Sequence, residues 1–65
     1  MADAAGKLVK MSGQIATFFE SQTGDQVGGV AEHINLNWSP QMRRDLKMQS
    51  GLHPLVQAAL EQIRD

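Results

Sequence analysis

The sequence predicts an all-α fold, a small domain of three to four short helices, and three observations carry that expectation. Apolar residues recur at spacings of three and four along most of the chain, and no stretch alternates as a half-buried strand would. Two helix starts are written as a capping residue followed by proline, Ser39-Pro40 and His53-Pro54. Two breaks fall between the periodic runs, at Thr23-Gly24-Asp25 and at Ser50-Gly51. Together they divide residues 1–65 of one small domain into helices at roughly 4–22, 26–37, 40–49 and 54–64.

The first helix rests on Leu8, Met11, Ile15, Phe18 and Phe19, with Val9 and Ala16 widening the stripe. Gly6 and Gly13 each weaken it by about 1 kcal/mol relative to Ala. Either they mark a close approach of another backbone or they reflect plain weak propensity. Gly24 is suited to the positive φ that closes a helix, and Asp25 to capping the next one. Val27, Val30, Ala31, Ile34 and Trp38 form the second stripe, with Gly28-Gly29 in its first turn. That helix ends near Asn35 to Asn37, because a residue before proline is pushed out of the α region. The third helix carries Met42 and Leu46 inward and Arg43, Arg44 and Lys47 elsewhere. Leu52, Leu55, Val56, Ala59, Leu60 and Ile63 give the last helix the cleanest amphipathic pattern of the chain.

The segment from Asn37 to Arg44 is a corner. Ser39 is placed to accept an orphan backbone N–H of the third helix, and Pro40 has no N–H to leave unpaired. Trp38, the only Trp, stands just before that cap, where an apolar side chain folds back onto the new helix. Arg43 and Arg44 follow Met42 by about 100° and 200° around the helix, so both cannot share its buried face. The expectation is that Trp38, Met42 and one of Phe18 or Phe19 pack where the helices meet, while Arg43 and Arg44 reach outward.

Length and composition narrow the function classes. A chain of 65 residues buries only about 60% of the surface its unfolded form exposes, so its own core is marginal. Domains of this size commonly add a disulfide, a metal or a partner. There is no Cys and there are only two His, His33 and His53, which excludes disulfides and thiolate-bound clusters and leaves a partner chain as the natural staple. A net charge of −1 sets up no overall field for nucleic acid or anionic lipid. The N-terminal residues lack the basic region and apolar core of a secretory signal, and no apolar run is long enough to span a bilayer. A cytoplasmic protein is expected.

No constellation for catalysis stands out. There is no phosphate-binding Gly loop and no Cys nucleophile, and none of Ser12, Ser21, Ser39 and Ser50 has an evident His–Asp context. Glu32 and His33 are adjacent, so on a helix their side chains diverge by about 100°. An enzyme in its own right is not the expectation, and no catalytic, cofactor-binding or metal-binding residue is assigned. Arg43, Arg44 and Lys47 beside Trp38 admit a phosphate backbone with a stacked base. Three cations with Asp45 among them are a thin footprint for that. A solvated helix face is the plain alternative. Docking onto a partner protein is favoured, because Arg and Trp are enriched at interface hot spots. Phe18 and Phe19 lie side by side, and a core this small buries one more readily than two. The candidate partner interface is therefore Phe18, Phe19, Trp38, Met42, Arg43 and Arg44.

Several segments together resemble a known family. They are Leu8-Val9-Lys10-Met11, Gln14-Ile15-Ala16, Phe18-Phe19, Val30-Ala31-Glu32-His33-Ile34, Trp38-x-Pro40-x-Met42-Arg43-Arg44 and Gly51-Leu52-x-Pro54-Leu55-Val56. In this order they resemble the delta subunit of the soluble NAD-dependent formate dehydrogenases of bacteria. The resemblance implies a small helical accessory subunit, itself without a cofactor, that supports assembly or stability of the complex. It implies a large alpha subunit with a molybdenum or tungsten pterin and iron–sulfur clusters, and a beta subunit with FMN and the NAD site. The expected function is thus a non-catalytic part of a complex oxidising formate to CO2 with NAD+ reduction, packed against the large subunit. A free-standing helical regulator or small nucleic-acid binder is the competing class.

Overall fold

Four α-helices and one short 3-10 turn make up the described residues, 4–64, of a computed structural model. The reading of the N-terminal tail falls partly outside them. Helix α1 is Ala4–Glu20, α2 is Gln26–Asn37, α3 is Pro40–Lys47 and α4 is Pro54–Ala59, followed by the 3-10 turn Leu60–Gln62. The fold is all-α, as the periodicity predicts.

Leu8, Ser12 and Ala16 of α1 are buried, four apart on one face, with Met11, Ile15 and Phe19 half-buried beside them. Ser12 is fully buried and stays satisfied by donating its hydroxyl to the Val9 carbonyl at 2.9 Å. The helix stops at Glu20, two residues before the expected end. Ser21 N–H and Gln22 N–H bond three residues back, to Phe18 O and Phe19 O, which tightens the final turn out of α geometry. Gly24 at φ 91° reverses the chain. The Gln26 amide then folds back onto the Gln22 and Glu20 carbonyls at 2.9 and 3.3 Å, covering groups the helix end leaves open.

Helix α2 is the centre of the fold, packing on α1 along one side and on α4 along the other. Asp25 caps it, its carboxylate accepting the Gly28 N–H at 2.8 Å. Val30, Ala31 and Ile34 are buried. Trp38 N–H closes the helix onto Ile34 O at 2.9 Å. One residue on, Ser39 caps α3 by accepting the Met42 N–H at 3.2 Å, with Pro40 in the first position. Leu46 is the fully buried residue of α3, and α3 packs on α1. The expected end at Gln49 is again shortened to Lys47, because Met48 and Gln49 bond three residues back.

His53 caps α4, its Nδ1 accepting the Leu55 N–H at 3.0 Å. Val56 and Ala59 enter the core. The sequence predicts a helix to about residue 64, yet regular helix ends at Ala59. Ile63 turns to extended backbone and is buried. The Arg64 N–H is held by the Asn35 side-chain oxygen at 2.8 Å, and the Asn35 amide donates to Gln62 O at 2.9 Å. Tertiary hydrogen bonds from α2 therefore replace helical ones, although the apolar period continues through Ile63. Among the described residues no helix is long and apolar enough to cross a membrane.

Candidate partner-docking surface

The surface starts from one missing side chain. A Cβ on Gly29 of α2 would lie 2.6 Å from Phe19 Cε1, so only glycine lets the Phe19 ring of α1 lie against the α2 backbone. Phe19 is thereby half-buried, and its neighbour Phe18 is left 60% exposed. The two rings meet edge to face, with centroids 5.2 Å apart at 87°. Met11, Gln14 and Ile15 continue along α1, His33 faces them from α2, and Trp38 contributes an edge although it is only 6% exposed. Together they line an open groove of about 480 Å³ with no Asp, Glu, Lys or Arg in its lining.

Of the six residues expected at an interface, Phe18, Phe19 and Trp38 share this groove. Met42 is half-buried against the core and does not line it. Arg44 is exposed on the outer face of α3, where it donates to the Gln41 side-chain oxygen at 3.2 Å while Gln41 donates to Asp45 at 2.9 Å.

Arg43 does not reach outward, contrary to the sequence expectation. Its guanidinium turns back under the corner. Nη1 donates to the Asn35 carbonyl at 3.1 Å and to the Trp38 carbonyl, and Nε donates to the Arg64 carbonyl. The physical reason is the end of α2, whose last carbonyls have no intrahelical partner and carry the negative end of the helix dipole. A planar fork with several donors fits that cluster of carbonyls. One side chain thus ties α2, α3 and the C-terminal segment together.

Several of the groups able to do acid–base work hold the helices in place. Because His53 Nδ1 accepts the Leu55 N–H, the ring proton sits on Nε2, which donates to Glu20 Oε2 at 2.9 Å and ties the end of α1 to the start of α4. Asp25 caps α2, and Asp45 receives Gln41. Glu32 and His33 are both exposed, and His33 faces the groove. Among the described residues no three His, Cys, Asp or Glu are grouped so that they could hold a metal ion.

Residues 7–60 of the 65 match the family model of the NADH-dependent formate dehydrogenase delta subunit, FdsD. The chain belongs to this family. No curated protein matches it. As a delta subunit of formate dehydrogenase it is one part of a larger enzyme, with the other subunits of that enzyme as its partners. Every residue of the groove, from Met11 to Trp38, falls inside the matched segment. Arg64, whose carbonyl accepts from Arg43, falls beyond it.

The sequence reading missed Gln14 and His33 as groove residues and Asn35 as the anchor of the C-terminal segment. A faint signal existed for Gln14, which lies on the Met11–Phe18 stripe of α1. None existed for Asn35, whose two bonds connect positions 27 and 29 residues apart.

Proposed function

We propose that this delta subunit is a non-catalytic accessory chain that docks onto the large catalytic subunit of its formate dehydrogenase through the α1–α2 groove and thereby supports assembly of the complex. The observation that carries the reading is Phe18, a large aromatic residue 60% exposed on a groove with no Asp, Glu, Lys or Arg in its lining, in a chain whose family is a formate dehydrogenase subunit. Exposed apolar surface beside a half-buried aromatic ring is what a partner covers, with aromatic residues as anchors. The polar residues support the same view, since Asp25, His53, Glu20 and Arg43 are engaged in caps and joints. Formate oxidation, the metal pterin, the iron–sulfur clusters, FMN and NAD then belong to the alpha and beta subunits.

The test is Phe18→Asp, expressed in place of the parent chain with the whole complex recovered by a tag on the large subunit. Phe18 adds little to the core, so helicity by circular dichroism stays at the parent level. A lost aromatic hot spot of about 2 kcal/mol or more corresponds to roughly thirtyfold weaker binding, and the variant is expected to be missing from the purified complex. Retention at the parent level overturns the assignment of the groove. Deleting the chain is expected to lower the amount of assembled enzyme while the enzyme that does assemble still oxidises formate. A complex with full metal content and no turnover would give this chain a direct catalytic part.

A further inference from the structure

The groove has a direction. Along α1 its floor runs from Met11 through Gln14 and Ile15 to Phe18, about 10 Å or two helical turns. One turn before Met11 and Gln14, on the same side of α1, stand Lys7 and Lys10. Both are exposed, and neither makes an ion pair with a described residue. At the other end of α1 the carboxylate of Glu20 is already held by His53. The groove is therefore lined mainly by apolar side chains and has Lys7 and Lys10 at one end.

Resting on the docking assignment above, we infer that the groove receives a single amphipathic helix of the large subunit, with apolar side chains about one turn apart along the floor and carboxylates at the end beside Lys7 and Lys10. A strand is disfavoured as the occupant, because strand addition needs an open sheet edge and the described residues are helical. A floor two turns long matches anchors at positions i, i+3 or i+4, and i+7 of one helix. Met11 adapts to the shape of such anchors. Gln14 and His33 offer side-chain hydrogen bonds within the groove, whereas Lys7 and Lys10 are the lysines beside it. Carboxylates are best matched at the lysine end, which says which end of the incoming helix carries them.

The experiment uses the intact complex. Gln14 and Lys10 are replaced, one at a time, by the photoreactive residue p-benzoylphenylalanine, and the cross-linked sites on the partner are mapped by mass spectrometry. Both cross-links are expected on one helix, about one to two turns apart, with Asp or Glu at the end captured from position 10. In parallel, Lys7→Glu with Lys10→Glu is expected to weaken retention about tenfold at low salt, and less at high salt where exposed charges are screened. Cross-links on two unconnected segments or on a strand overturn the inference, as does unchanged retention of the charge-reversed variant at low salt. If Phe18→Asp is released while the charge-reversed variant is retained, the groove is the interface and only the direction and chemistry of its occupant are wrong. If Phe18→Asp is itself retained, the docking assignment falls first and this inference with it.

Discussion

The two flanks of α2 are finished in opposite ways. Towards α1 the surface is apolar and open, with Phe19 laid against Gly29 and Phe18 standing clear of the fold. Towards α3 and the C-terminal segment the surface is polar and closed, with the Arg43 guanidinium and the Asn35 amide satisfying carbonyls of three segments. Both flanks contain residue types enriched at protein interfaces. What separates them is unsatisfied capacity. Arg43 finds its acceptors within the chain, whereas Phe18 is left 60% exposed. Residue type nominates an interface, and the remaining valence decides whether there is one.

The largest effect is expected where the two flanks meet. Trp38 belongs to both, since its ring plugs the core beside the groove and its carbonyl accepts from Arg43. Trp38→Ala is expected to destabilise the folded chain by about 3–5 kcal/mol, as large-to-small changes in a core do. Urea titration followed by far-UV circular dichroism reads this directly. A change under about 1 kcal/mol would mean that the indole rests on the core rather than filling it, and the corner would have to be described again.

The closed flank is tested by Arg43→Ala. Hydrogen bonds to a charged donor contribute about 1.5–3 kcal/mol, and here one guanidinium serves three carbonyls. A loss of about 2 kcal/mol in chain stability is expected by the same titration, together with faster hydrogen exchange at Ile63 and Arg64. Arg43→Lys is expected to restore little, because an ammonium lacks the planar fork that reaches separated acceptors. Asn35→Ala acts on the same C-terminal segment, so the Arg43/Asn35 double variant is expected to depart from additivity by at least about 0.5 kcal/mol. Additive losses would show that the two side chains hold the segment independently.

The contrast also explains what was legible before the structure. The four helices, both Pro-led starts and the Asp25 and Ser39 caps are local facts, written within a few residues of where they act. The early ends of α1 and α3 and the short α4 depend on three-residue-back bonds and on Asn35, which the apolar period does not encode. At the site, the exposure of one of two adjacent Phe residues follows from helical geometry, because side chains 100° apart cannot both face a small core. For Arg43 the angle to Met42 predicts outward reach, and the structure differs. A long side chain can curl back, and the open carbonyls at the end of α2 lie within its span. Their position relative to α3 is a tertiary fact.

The smallest effect is expected one residue further on. Arg44 is exposed, and its side-chain hydrogen bond to Gln41 is itself exposed. Surface changes of this kind stay within about 0.5 kcal/mol, so Arg44→Ala is expected to leave the urea midpoint where it is. The neighbouring arginines thus separate cleanly, one moving chain stability and the other not. If the outer face of α3 also meets the large subunit, Arg44→Ala weakens retention in the complex and the loss shrinks as salt rises. Retention equal to the parent at low salt would exclude Arg44 from any interface and leave it a solvated residue. A fall in chain stability as large as that of Arg43→Ala would break the comparison itself, because remaining valence would then no longer distinguish the two arginines.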